Sequence, residues 1–214
     1  MSQRQDSQSS TATERAFDWL IQEVVSTAWN KDAFFSESEI ARAAGVSRTP
    51  AREALLHLEA NGLLRRVPFK GAYVPALTET DINEIMEVRA VIGDWATAKV
   101  ASQNPEIGFL LLEIIGRQRE AISDPVKFID LDLEFHKMLV QAAGNETLEN
   151  LYASQRYKQQ RLRIQALINS QERATVVLAE HTEMAEAVRA GDPDRARRAS
   201  NAHVASTQRA LNGR

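Results

Sequence analysis

Residues 37–74, ESEIARAAGVSRTPAREALLHLEANGLLRRVPFKGAYV, decide the fold. Ser36 and Glu39 stand at the spacing of a capping box, which opens a short helix through Ala44, and Gly45 ends it. Ser47 is placed to cap a second helix over about 48–60, with Pro50 tolerable in its first turn and Asn61-Gly62 as a left-handed stop. Two strand-like pieces follow at 63–67 and 72–74, separated by Pro68-Phe69-Lys70-Gly71, which reads as a hairpin tip. Two short helices joined by a tight turn and followed by a small β-wing predict a winged helix-turn-helix. Arg48, Thr49 and Arg52 then cluster at the start of the second helix, the end that enters a DNA major groove in such motifs. Arginine there can grip guanine O6 and N7 through two bonds, while Ser47, Thr49 and the first-turn amides can hold phosphate.

Working outward, residues 1–12, MSQRQDSQSSTA, hold almost nothing that can be buried and read as a disordered leader. Phe17, Leu20, Ile21, Val24 and Val25 recur at helical spacing and predict a first helix that fails between Trp29 and Phe35. From Thr78, a candidate N-cap, strand signals vanish and apolar residues keep a helical period to the end. Helices are expected at about 78–102, 105–122, 125–143, 145–169, 171–190 and 193–211, with breaks at Asn104-Pro105, Asp124-Pro125, Gly144-Asn145, Ser170 and Gly191-Asp192-Pro193. Six helices joined by short turns imply an antiparallel bundle. The expected class is mainly α: a leader over 1–12, a winged helix-turn-helix over 13–76, and an antiparallel six-helix bundle over 77–214.

The net charge of −3 hides a local basic patch. Six cations between Arg42 and Lys70 face only Glu53 and Glu59, whereas residues 79–214 carry 17 cations against 20 anions. Positive charge therefore sits where DNA phosphates have to be met. There is no cysteine, which excludes disulfide frameworks and thiol nucleophiles and suits a reducing cytoplasm. No apolar run approaches a membrane span, so no membrane partner is expected.

In the C-terminal part, His181 falls on the apolar stripe with Val177, Leu178, Met184, Ala185 and Val188, and His203 on one with Ala196, Ala199 and Ala210. Both are expected to point inward. Asp132 and His136 are i, i+4 neighbours that can grip one ion together, and two further imidazoles would complete an Asp plus His₃ set suited to Zn, Ni or Mn. From spacing alone they read more simply as separately hydrogen-bonded core histidines beside an exposed aspartate. Arg89 lies on the inward stripe Ile82, Ile85, Met86, Ile92, Ala96 and needs an anion. It can pair with Asp132 or Glu134, or its fork can receive a ligand carboxylate. Tyr152, Gln155 and Gln159 are candidate hydrogen-bonding groups for such a ligand.

The 37–74 stretch, and VSRTPAREAL within it, resembles the winged helix of the GntR family of bacterial transcription regulators. That resemblance implies that Arg48 and Arg52 are the main DNA contacts and that Gly71 lets the wing tip approach the minor groove. Ser38 and Lys70 depart from it, standing where many members have arginine. The segments DLEFHKMLVQAAGN and EHTEMAEAVRAGDPDRARRASNAH are similar to the ligand-binding domain of the FadR subgroup, the FCD domain. This implies that Asp132, His136, His181 and His203 form a divalent metal site beside which a small organic acid binds. The function expected is therefore a non-enzymatic, cytoplasmic repressor, a homodimer on a double-stranded, near-palindromic operator, released by a carboxylate effector. A metal-sensing regulator is the alternative. A metal-dependent hydrolase is weaker, because no additional acid–base pair stands out and the winged helix would have no task.

Overall fold

The computed structural model describes residues 11–28, 30–60, 63–67, 70–168 and 172–211. They divide into two compact units, Met1–Ala76 and Leu77–Arg214.

In the first unit, α1 (Ala12–Ser26) is followed by β1 (Ala33–Phe35), α2 (Glu37–Ala43), α3 (Arg48–Ala60), β2 (Arg65–Val67) and β3 (Gly71–Val74). Thr11 and Glu14 form a capping box, so α1 starts within the segment assigned to the leader: Thr11 is its N-cap and Ala12 its first residue. Residues 1–10 lie outside the described residues, as do Asn61-Gly62 and Pro68-Phe69, where a helix stop and a hairpin tip are expected. Ser36 caps α2 through the expected box with Glu39. Leu20, Ile21, Val24 and Val25 bring α1 onto α3, which buries Pro50, Ala51, Ala54, Leu55 and Leu58 in return. Each fully buried leucine there contributes about 1.5–3 kcal/mol relative to exposure. β1 has no counterpart in the sequence expectation. It pairs antiparallel with β3, Phe35 opposite Ala72, and the sheet order is β1-β3-β2.

The second unit is all helical: α4 (Glu79–Gln103), α5 (Ile107–Glu120), α6 (Pro125–Ala142), α7 (Glu146–Ser154), α8 (Arg156–Ile168), α9 (Arg173–Arg189) and α10 (Pro193–Leu211). Among the described residues the bundle thus has seven helices where six are expected, because the segment 145–169 is broken. At Gln155 the backbone N–H reaches Tyr152 O, three residues back, and the ladder restarts when Gln159 N–H donates to Gln155 O. Ser170, an expected break, lies outside the described residues. α4 and α10 run antiparallel, tied by Asn201 to Asp94 and by Gln208 to Asn83. α5 and α9 also run antiparallel, with Gly108 against Arg189 at one end and Gln118 against His181 towards the other. Phe128, Phe135, Leu111, Ile114, Leu162 and Met184 are among the fully buried side chains of this core. Among the described residues no helix is long and apolar enough to cross a membrane.

Candidate functional site

Two sites emerge, one in each unit. In the first, Gly45 takes φ +64° and turns the chain from α2 into α3, so that Arg48 and Arg52, one helical turn apart, share an exposed face. With Ser36, Ser38, Arg66 and Lys70 they line a groove of about 690 Å³. Ser47 and Thr49 are exposed beside the helix start but do not line the groove. Arg66 is held by Glu59, Nε to Oε2 at 2.5 Å, and its own N–H donates to Oε1 at 3.1 Å. Arg48, Arg52 and Lys70 pair with no carboxylate among the described residues, which leaves their charge available to an anion. Gly71 has φ +124°, and a Cβ there would stand 2.3 Å from Phe35 O. The close passage of β3 over the end of β1 therefore accounts for this glycine within the fold itself. Arg66 is a groove residue that the sequence reading left unassigned.

In the second unit, α6 places Asp132 and His136 on one inward face, α9 supplies His181 and α10 His203. All four are at most 7% exposed, and one ligand atom from each lies within 4.8 Å of the others. His57, by contrast, is exposed on α3 and packs its ring against Phe17, 4.8 Å between centroids.

Neighbouring side chains decide the protonation of these rings. Gln118 donates its amide N–H to Phe128 O at 3.4 Å, which aims its Oε1 at His181 Nδ1, 3.0 Å away. His181 therefore carries its proton on Nδ1, and Nε2 presents a lone pair. Phe135 stacks on this ring, 4.1 Å between centroids and 3° between planes. Glu180 accepts from His203 Nδ1 at 2.8 Å, which likewise turns a bare Nε2 inward. His203 Nε2 lies 3.2 Å from His136 Nε2. Burial holds all three imidazoles neutral: His181 is lowered to about 4, and His136 and His203 fall well below their ordinary value. Burial alone would raise Asp132, but the guanidinium charges of Arg163 and, less strongly, Arg89 outweigh it and hold the carboxyl at about 2.

Four acceptors thus converge. His181 Nε2 faces Asp132 Oδ1 at 3.3 Å and has no hydrogen-bond partner, a buried acceptor that costs about 1–3 kcal/mol while unmatched. Three unprotonated imidazole nitrogens, two of which face Arg89 Nη2, and a carboxylate oxygen form an N₃O set of the kind that suits a borderline divalent ion, with Gln118 and Glu180 orienting two of the rings from behind. The residues present therefore fit the metal.

Arg89 pairs with neither of the carboxylates proposed for it. Asp132 is taken by Arg163 and Glu134 by Arg117. Arg89 Nη2 instead lies 3.0 Å from His136 Nε2 and 2.5 Å from His203 Nε2, and burial with the like charge of Arg163 lowers its pKa to about 10. Tyr152 and Gln159 are both buried and both accept from Arg163 Nη2, at 3.2 and 3.0 Å. Gln155 stays outside this cluster, at the α7–α8 break, with its amide on Ser154 Oγ. Arg163 itself, and Arg173 on Glu180 at 3.3 Å, are absent from the sequence reading. Their residue type and surroundings in sequence carry no burial signal.

Comparison with known proteins agrees with both halves. Residues 12–74 match the bacterial regulatory proteins of the gntR family, and residues 84–206 match the FCD domain. The chain is 29% identical over 174 residues to the HTH-type transcriptional regulator YdhC of Bacillus subtilis, covering 78% of this chain and 76% of that protein. It is 28% identical over 202 residues to a probable D-xylose utilization operon transcriptional repressor of Paenarthrobacter nicotinovorans, covering 92% and 87%. Among solved structures, Escherichia coli McbR/YncC superposes with a TM-score of 0.77 at 18% identity, over 95% of this chain and 98% of that one. A GntR regulator from Rhodococcus sp. RHA1 gives 0.76 at 22% identity, over 95% and 99%. With a GntR helix-turn-helix domain joined to an FCD domain, the chain belongs to the FadR-like group of the GntR family and is a transcription regulator of that type.

Proposed function

We propose that this regulator is a repressor that binds a near-palindromic operator as a homodimer and leaves it when an organic acid enters the helical domain at a metal site. On the DNA side, Arg48 and Arg52 read base edges from the start of α3, Ser47 and Thr49 hold phosphate, and Lys70 and Gly71 bring the wing to the backbone. Twofold pairing supplies the second half-site that one recognition helix cannot reach. Asp132, His136, His181 and His203 would hold the ion, which would supply a Lewis-acidic centre for a carboxylate. Arg89 receives the acid's other oxygens, and Tyr152 and Gln159 hold Arg163 in place.

The observation that carries this reading is the convergence of four buried, unprotonated acceptors beside a buried guanidinium that pairs with no carboxylate among the described residues. An acid acts as a signal only if it binds the non-operator arrangement more tightly than the operator-bound one. Fluorescence anisotropy on DNA from upstream of the protein's own gene tests this. Tight binding that a carboxylic acid weakens, in protein holding its metal, is the expected result. Operator affinity indifferent to every acid but changed by the metal alone would favour metal sensing instead.

A further inference from the structure

We propose that Arg66 is a further DNA contact, a guanidinium that Glu59 aims at an operator phosphate. This deepens the operator reading above and rests on it. Arg66 lies on β2 and lines the groove together with Arg48, Arg52 and Lys70, while the carboxylates of that groove are Glu37 and Glu59. Glu59, in the last turn of α3, holds Arg66 twice. Its Oε1 accepts from the backbone N–H at 3.1 Å and its Oε2 from the side-chain Nε at 2.5 Å. One carboxylate thus fixes the wing strand and the guanidinium together. The same two bonds, the side-chain one foremost, hold the Glu59 carboxyl below its ordinary value, so it stays ionised.

Stability does not account for the pair. The side chains are 38% and 35% exposed, where water screens both charges and an ion pair adds little to the fold. What Glu59 supplies is direction. It takes the Nε edge of the guanidinium, and neither terminal NH2 group donates to a protein acceptor among the described residues. Every N–H of a guanidinium is a donor and none of its atoms accepts, so the free groups suit a charged oxygen. An arginine already held by one edge has less rotamer freedom left to lose on binding.

Position selects phosphate over base. Arg48 and Arg52 stand at the start of α3, the end that enters the major groove. Glu59 lies three turns further along, about 16 Å up the helix axis from Arg48, whereas the major groove is only about 8.5 Å deep. A guanidinium held at that end of α3 meets the rim of the groove, where the phosphates run. Lys70, whose backbone N–H donates to Val67 O at 3.0 Å, adds a second cation from the wing. Contacts to phosphate fix the register of a protein on the duplex without reading sequence. Arg66 is therefore a positioning contact that sets how Arg48 and Arg52 meet the bases.

Fluorescence anisotropy on the full-length protein tests the assignment, with the duplex from upstream of its own gene and a scrambled duplex of the same length. Arg66→Ala is expected to weaken binding to both by about ten-fold and to lower the slope of log affinity against log salt by about one per bound protomer. Arg66→Lys still neutralises Glu59 but loses the fork that bridges carboxylate and phosphate, and should cost about three-fold. Glu59→Ala should also weaken binding once salt screens long-range repulsion, although it removes a negative charge from the groove. Arg66→Lys matching the wild type, or Glu59→Ala binding more tightly than it, would reduce the pair to charge neutralisation and overturn the proposal. So would an unchanged salt slope in Arg66→Ala, or a loss confined to the operator duplex, which would place Arg66 on a base. Arg48→Ala is the reference: if it weakens operator binding while Arg66→Ala does not, the Arg66 contact falls and the operator reading stands. If neither weakens it, both fall.

Discussion

The Nε2 atom of His181 stands 3.3 Å from Oδ1 of Asp132, one lone pair against another, because Gln118 holds the ring's proton on the far side. Such a contact is repulsive unless a cation lies against both atoms. A metal bound only by the native state stabilises it by mass action. Chelation should therefore lower the melting temperature of the protein by several degrees, corresponding to about 4 kcal/mol when the ion is held at 1,000 times its Kd. Scanning calorimetry before and after dialysis against chelator measures the shift, and an unchanged midpoint would contradict it.

Arg163 and Asp132 form an ion pair with each side chain 4% exposed. Removing one partner from a buried pair costs about 3–5 kcal/mol, since the other charge is left unmatched. Arg163→Met should show that loss in metal-free protein and a smaller one in metal-holding protein, where the ion also offsets the Asp132 charge. Urea unfolding of both forms decides it. Equal losses would mean that the metal does not touch Asp132.

Much of the fold was legible because its signals are local. The boxes at Ser36–Glu39 and Thr78–Asp81 start α2 and α4 where the residue types require, and Gly45 turns the motif. Asp132 and His136 could be placed together from their i, i+4 spacing, and His181 and His203 from their apolar stripes. β1 was illegible: three residues carry no period, and the strand exists only because β3 pairs with it. The α7–α8 break falls at Gln155 with neither glycine nor proline to announce it. Arg161 and Arg163 lie in RYKQQRLRIQ, a segment crowded with charged and polar residues, yet both are buried. For Arg163 the reason is Asp132, 31 residues away in sequence. Long-range partners of this kind, Gln118 and Glu180 included, leave no local trace.

Gly108 provides a packing test. A Cβ there would lie 2.6 Å from Arg189 Cβ and 2.7 Å from its Cα, so α5 and α9 would have to separate. Gly108→Ala should cost about 1–3 kcal/mol. Gly116→Ala on the same helix meets nothing within 4 Å and should stabilise by about 0.5–1 kcal/mol through helix propensity. Denaturant midpoints of the two variants should move in opposite directions, and a shared direction would refute the close crossing.

On DNA, Arg48→Ala and Arg52→Ala should each weaken operator binding by about 1–3 kcal/mol and relax base preference. Lys70→Ala should weaken all sequences evenly and reduce the salt dependence. Titrations against operator and scrambled duplexes at two salt concentrations separate these effects. Operator affinity unchanged in both arginine variants would remove α3 from the groove.

The most direct measurement is the metal content of protein purified without chelator or histidine tag, for the wild type and for His57→Ala, His181→Ala and His203→Ala. Close to one divalent ion per chain is expected in the wild type and in His57→Ala, with marked loss in His181→Ala and His203→Ala. Wild-type protein without metal, or loss confined to His57→Ala, would return the three buried histidines to ordinary core residues and contradict the account.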